Sequence, residues 1–174
     1  PACGACRECD QGLPNLCQTH LPNLWAGLMP DGTRRMVDAS GDPVFHLAAI
    51  STWATHSIVP AFSCVKMPDV PFELSALIGC GVTTGVGAVL NKAKVTAGDT
   101  VAIFGGGGVG LSTVMGAVLA GASRIVVVDR NPDKDAMCRS FGATDVVITD
   151  DLNDAVSAIR EATDGRGVDY VFDA

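Results

Sequence analysis

Val101-Ala102-Ile103-Phe104-Gly105-Gly106-Gly107-Gly108-Val109-Gly110 is the stretch on which the reading of the fold turns. Residues 101–104 predict a short buried strand, and a helix is expected over about 109–119. Between them Gly105, Gly107 and Gly110 satisfy G-x-G-x-x-G. Alone that motif is weak, because four consecutive glycines also suit a flexible linker. A strand before it, a helix after it and an acid downstream make it a dinucleotide-binding turn. In such a turn Gly105 permits the tight exit from the strand. Gly107 lets backbone approach a pyrophosphate, and Gly110 lets the helix pack close to the sheet. Backbone N–H groups and the positive helix end then face the phosphates.

The acid is Asp129, at the end of a strand expected over 124–129 and 19 positions after Gly110. A carboxylate there accepts hydrogen bonds from both hydroxyls of the adenosine ribose and repels a 2′-phosphate, so NAD is expected over NADP. Lys134 offers a further ribose contact, with a solvated surface charge as the alternative. Arg130 is the one counter-signal, since it could attract a 2′-phosphate. Beyond Asp129 the alternation continues. A helix over 132–141 has Asn131 as N-cap and Pro132 at its first position. A strand over 146–148 follows, then a helix over 152–162 with Leu152, Ala155, Val156 and Ile159 on one face, and a strand over 168–172. Strands and helices alternating through short connections predict an α/β fold with a parallel sheet and right-handed crossovers.

Upstream the pattern is different. Residues 1–35 are rich in Cys, Pro, Gly and Asn and lack periodicity, so something other than an apolar core must hold them. Four of the seven cysteines fall here, as Cys3-x2-Cys6-x2-Cys9-x7-Cys17. Four thiolates supply the closed tetrahedral set that structural zinc prefers. Two disulfides or free thiols are a lesser alternative, and an iron site with the same sulfurs is another. Residues 36–70 carry apolar runs at 45–50 and 53–59, broken by Pro43, Pro60 and Pro68, which suggest short strands. Pro71 and Glu73 mark a helix start, and the helical pattern runs through Gly79-Cys80-Gly81 into a second helical stretch to about 94.

Composition narrows the function classes. A net charge of -7 argues against nucleic acid as a partner. Residues 100–123 carry no charge and are long enough to span a bilayer, but the four glycines at their centre make a poor helix interior, so no membrane span is expected. The beginning at Pro1 and the end on an apolar run both read as cut, without a signal-peptide pattern.

A four-cysteine lobe, then Gly79-Cys80-Gly81-Val82-Thr83-Thr84-Gly85, then the glycine loop and Asp129, in this order and spacing, resembles the zinc-containing medium-chain alcohol dehydrogenase family. Taken alone, Cys80 reads more readily as a small buried hydrophobe. The resemblance implies a partial GroES-like, β-rich catalytic domain over residues 1–80, with the zinc lobe at 1–35, and a partial Rossmann domain over 81–174. It implies structural zinc on Cys3, Cys6, Cys9 and Cys17, and Cys80 as one ligand of a catalytic zinc. Thr84 and Val109 would lie against the nicotinamide of NAD, with Asp129 and Lys134 on the adenosine ribose. The family's other catalytic ligands, a Cys and a His, are expected upstream of this chain. His20, His46 and His56 do not match those positions and read as surface or strand residues.

The implied activity is hydride transfer between an alcohol/aldehyde pair and NAD, in a cytoplasmic homo-oligomer. Leu28-Met29-Pro30-Asp31-Gly32-Thr33 looks like the branch holding ordinary alcohol dehydrogenases and glutathione-dependent formaldehyde dehydrogenases. The latter carry an arginine where Leu21 stands, and an apolar side chain cannot pair with a thiol cofactor's carboxylate. A simple primary or aromatic alcohol is therefore expected. Glutathione- or mycothiol-adduct oxidation is the alternative, and a non-catalytic zinc- and dinucleotide-binding module is a third reading.

Overall fold

Val101, Ala102 and Ile103 are fully buried in strand β3 (Thr100–Phe104), as a strand covered on both faces requires. The coordinates come from a computed structural model that describes residues 2–59 and 61–174. Strand β4 (Arg124–Asp129) lies on one side of β3 and β6 (Tyr170–Asp173) on the other, with β5 (Asp145–Ile148) beyond β4. The order is β5-β4-β3-β6 and every pair is parallel.

The period of two in the strands divides the core into two layers. Val101, Ile103, Ile125 and Val127 pack with Leu111, Val114 and Ala117 of helix α5 (Gly108–Ala120) and Cys138 of α6 (Asp135–Phe141). Ala102, Val126 and Val128 pack with Ala155 and Ile159 of α7 (Leu152–Ala162). The chain therefore changes sheet face after β5, and β6 returns beside β3. That reversal of strand order opens a crevice beyond the C-terminal ends of β3 and β6, where doubly wound sheets bind ligands. Within α7 the buried face is narrower than its periodicity suggests, because Leu152 and Val156 stay exposed. The last strand begins at Tyr170, not 168; just before it Asp169 N donates to Thr100 O at 3.0 Å, and the Asp169 carboxylate accepts from Thr100 N and Thr100 Oγ1 at 2.8 and 2.7 Å.

Residues 72–93 form one helical run of two α-helices and two π-helical turns. These are α3 (Phe72–Leu77), Ile78–Val82, α4 (Thr83–Gly87) and Ala88–Ala93. By length and composition alone this run could cross a membrane. Within it only Gly85 and Val89 are buried. A Cβ on Gly85 would meet Ser112 Cβ and Thr113 N at 2.6 Å, and one on Gly116 would meet Val89 Cβ at 3.1 Å, so small residues let α4 lie directly on α5. The uncharged stretch 100–123 divides into strand, loop and helix.

The chain separates into two units, Pro1–Pro68 and Asp69–Ala174. The first holds α1 (Arg7–Asp10), α2 (His20–Ala26) and a two-residue antiparallel pair, β1 (Met36–Val37) with β2 (Pro43–Val44). The strands expected at 45–50 and 53–59 do not form. Leu47–Ala49 is a 3-10 turn, Leu47 N donates to Ser51 Oγ at 2.8 Å, and Ala48, Ala49 and Ser51 have positive φ. Among the described residues these runs have no partner strand. Pro43, expected as a breaker, opens β2, where an edge position spares its missing donor. Pro60, another of the three expected breakers, lies outside the described residues. His46 is a second correction, for it is buried, not a surface residue. Its Nε2 accepts from Arg35 N at 3.0 Å and its backbone N–H donates to Gly27 O at 2.8 Å.

One ion pair ties the N-terminal ends of β4 and β5. Arg124 Nε and Nη2 donate to the two Asp145 oxygens at 2.8 and 3.0 Å, and this pairing holds the Asp145 carboxyl below its ordinary range. A depressed carboxyl stabilises the fold above its unfolded pKa, and that contribution fades as pH falls through the folded value. Asp145→Asn should therefore be slightly less stable than the parent in urea at neutral pH. The gap should close in strong acid. A gap that persisted there would show that the charge is not its source.

Candidate metal centre and dinucleotide site

The four lobe cysteines converge. The Sγ atoms of Cys3, Cys6, Cys9 and Cys17 all lie within 4.8 Å of one another, and Cys6 and Cys9 are 3.5 Å apart. Zn–S bonds of about 2.3 Å in a tetrahedron put sulfurs roughly 3.8 Å apart, so the set fits a zinc ion after small adjustments. The local chain supplies donors as well as ligands. Cys3 N donates to Cys17 Sγ at 3.2 Å, and Ala5 N to Cys3 Sγ at 3.4 Å. Such N–H···S contacts orient thiolates and spread their charge. The Thr19 hydroxyl, with the Cys3 amide, pulls Cys17 down to about 5, whereas burial pushes Cys9 up to about 11. A metal would have to displace the Cys9 proton, so affinity should fall in acid.

In the second unit the glycine loop leaves β3 through Gly105, whose φ is +100° and whose N–H donates to Val128 O at 2.8 Å. Gly110 lies against this turn, since a Cβ there would stand 1.8 Å from Gly105 O. At Gly107, the N-cap of α5, a Cβ would meet nothing within 4 Å. That open backbone face at a helix N-terminus is what a pyrophosphate needs. Asp129 is half-buried beside it. Its Oδ2 accepts from Gly106 N at 2.7 Å and its Oδ1 from Asn131 N at 2.8 Å. The Asn131 amide is the larger of the influences that hold this carboxyl below its usual range, so the group is ionised at neutral pH. Each oxygen keeps a lone pair for a ribose hydroxyl. A cavity of about 370 Å³ lies at these strand ends, lined by Asp129, Arg130, Thr149 and Asp173 among others. Lys134 closes the capped turn Pro132–Lys134, half-buried, and its charge also favours the ionised Asp129.

Cys80 and Thr84 are exposed on the 72–93 helical run, and Cys80 lies in its first π-helical turn. Thr84 is brought to the first turn of α5, because a Cβ on its neighbour Gly85 would stand 2.6 Å from Val109 O. Cys80 opens onto an apolar cavity of about 630 Å³ that Leu77, Leu111 and Met115 help to line. Among the described residues, the lobe cysteines are the only cluster of three or more Cys, His, Asp or Glu ligand atoms, so Cys80 offers one ligand by itself.

Sequence reasoning overlooked three residues around Asp129. Gly106 fills a slot at which the motif asks for nothing, and the sequence marks Asn131 only as a helix cap, a role its side chain does fill by accepting from Asp133 N at 3.0 Å. Cys138 carried no signal beyond its period-3.6 place on the inner face of α6.

Residues 108–174 match the family model described as "Zinc-binding dehydrogenase". The chain is 46% identical to the class-3 alcohol dehydrogenase of Myxine glutinosa, over 99% of the chain and 46% of that protein. It is 44% identical to the S-(hydroxymethyl)glutathione dehydrogenase of Saccharomyces cerevisiae, over 98% of the chain and 45% of that protein. Two crystal structures align with all of it. One is an alcohol dehydrogenase zinc-binding domain protein from Burkholderia ambifaria, with 38% identity and a TM-score of 0.88 over 47% of that chain. The other is the benzyl alcohol dehydrogenase of Acinetobacter calcoaceticus, with 34% identity and a TM-score of 0.82 over 46% of that chain. This chain belongs to the zinc-containing medium-chain alcohol dehydrogenase family, and its second unit has the family's Rossmann-like parallel sheet. It spans about half the length of the curated relatives it matches.

Proposed function

We propose that the protein to which these residues belong is a zinc-dependent dehydrogenase that transfers hydride between an alcohol/aldehyde pair and NAD. The observation that carries this reading is Asp129. An ionised carboxylate, fixed by two backbone amides, stands beside a helix N-terminus with an open glycine face. In this reading residues 1–80 are a segment of a GroES-like catalytic domain and 81–174 a segment of the dinucleotide domain, in a cytoplasmic homo-oligomer.

Each residue then has a task. The backbone from Gly105 to Gly110 binds the pyrophosphate, while Asp129 and Lys134 hold the adenosine ribose. Thr84 and Val109 would lie against the nicotinamide. Cys3, Cys6, Cys9 and Cys17 hold a structural zinc that stands in for a core the lobe lacks. Cys80 supplies one thiolate to a catalytic zinc, whose chemistry is to polarise the substrate oxygen as a Lewis acid.

The proposed substrate is a plain primary or aromatic alcohol. Leu21 is exposed and offers no charge to a thiol cofactor's carboxylate. A second reading, oxidation of a thiol adduct of formaldehyde, is favoured by the name of the yeast relative. The full-length protein with benzyl alcohol and NAD should produce NADH without added thiol, and should hold two zinc ions per subunit. NADH formation only from formaldehyde plus glutathione or mycothiol would transfer the assignment to the second reading. One zinc per subunit and no turnover would leave a non-catalytic binding module.

A further inference from the structure

Gly106 occupies a slot at which the G-x-G-x-x-G motif asks for nothing, yet it is buried. Its N–H holds Asp129 Oδ2 at 2.7 Å. A Cβ at this position would stand 2.8 Å from Cys138 Sγ, 3.1 Å from Asp129 Oδ2 and 3.6 Å from Lys134 Cβ. Cys138 is fully buried on α6, and burial raises its thiol pKa, so at neutral pH it is an uncharged packing group. The thiol therefore fills the space that a side chain at position 106 would need. The backbone it presses on is the one whose amide orients the ribose-binding carboxylate.

We propose that Gly106 and Cys138 form a complementary pair that positions Asp129, so that the fit between a missing side chain and a buried thiol sets NAD affinity and the preference for NAD over NADP. This rests on the proposed dinucleotide site. The Gly106 amide is taken up by Asp129 and the Cys138 side chain is buried behind it, so the pair acts through Asp129. Adding a methyl group at 106 must push away Cys138 Sγ, the Asp129 carboxylate or the loop itself. Shortening residue 138 returns the lost space. The two changes should therefore compensate, which two independent injuries to the fold would not do.

The test is a mutant cycle on the full-length, zinc-loaded protein, with Kd for NAD and NADP from titration calorimetry. Gly106→Ala should raise the NAD Kd about tenfold while the NADP Kd changes little, because only NAD uses the carboxylate as an acceptor. Gly106→Ala/Cys138→Ala should restore the NAD Kd to within about threefold of the parent, with Cys138→Ala alone completing the cycle. General damage to the fold would weaken both cofactors alike and would not be rescued. If Gly106→Ala does not fold, Cys138→Met presses the same backbone from the other side and should give the same NAD-selective loss. Parent-like NAD binding in Gly106→Ala, or a double variant as weak as the single, overturns the pairing while leaving the dinucleotide site intact. A parent protein that binds no NAD overturns that site, and the pairing with it.

Discussion

Cys17→Ser in the full-length protein is expected to remove one zinc per subunit and to unfold the lobe around it. Cys17 is 1% exposed, and with Met29 it is one of the two buried hydrophobic side chains among the described residues 2–35. The lobe's helices are one of four residues, one of seven and a short 3-10 turn, too short to stand alone. Structural zinc binding is worth roughly 10–16 kcal/mol in small cysteine-rich folds, far more than such a core could supply. Serine keeps the shape but not the chemistry, because its hydroxyl is not ionised at neutral pH and cannot replace the thiolate that Thr19 and the Cys3 amide favour here. The expected readouts are loss of one equivalent of zinc by atomic emission and rapid proteolysis within residues 2–35. The second unit has its own core and should keep its resistance to proteolysis. Full zinc content and an uncleaved lobe in Cys17→Ser would refute a load-carrying metal at this cluster.

This contrast explains why the two halves of the chain were unequally legible. In the second unit each strand pairs with a neighbour delivered by a short crossover, so local periodicity and global packing agree. β4 and α7 fall where the sequence places them, β3 and β5 differ by one residue at one end, and α5 by one residue at each end. The cysteine spacing was legible for a similar reason, since Cys-x2-Cys steps bring sulfurs together whatever the surroundings. Residues 45–59 were not legible. A strand needs a partner, and an apolar run such as Phe45 to Ile50 says only that it would be buried somewhere, not by what. Phe45 instead lies under the Arg34 guanidinium, 4.1 Å from its ring centroid, and Leu47 and Trp53 stay exposed. The role of Gly106 was hidden for another reason. A motif marks the positions that require glycine by backbone geometry, whereas Gly106 is constrained by a thiol 32 residues later in the sequence.

The glycine loop allows folding and binding to be separated at two positions three residues apart. Gly110→Ala should damage both. Its Cβ would stand 1.8 Å from Gly105 O, a backbone atom of the turn that is itself hydrogen-bonded to β4. No side-chain rotation relieves that clash, so α5 must lift from the sheet. Overpacking of this kind costs about 3 kcal/mol, the upper part of its usual range. The amides that face the pyrophosphate move with the helix, and NAD affinity should fall by about a hundredfold or more, equivalent to roughly 2.7 kcal/mol. Gly107→Ala should damage binding alone. Its φ of −83° and ψ of −170° suit any residue, and its Cβ would project into open space. Thermal unfolding should therefore be unchanged, while the methyl group stands where a phosphate must approach and should weaken NAD about tenfold or more. Calorimetric titration and thermal unfolding of both variants decide the matter together. If Gly107→Ala bound NAD like the parent, the open face would not be the pyrophosphate site. If Gly110→Ala were as stable as the parent, the close contact of α5 with the turn would not be what fixes the loop.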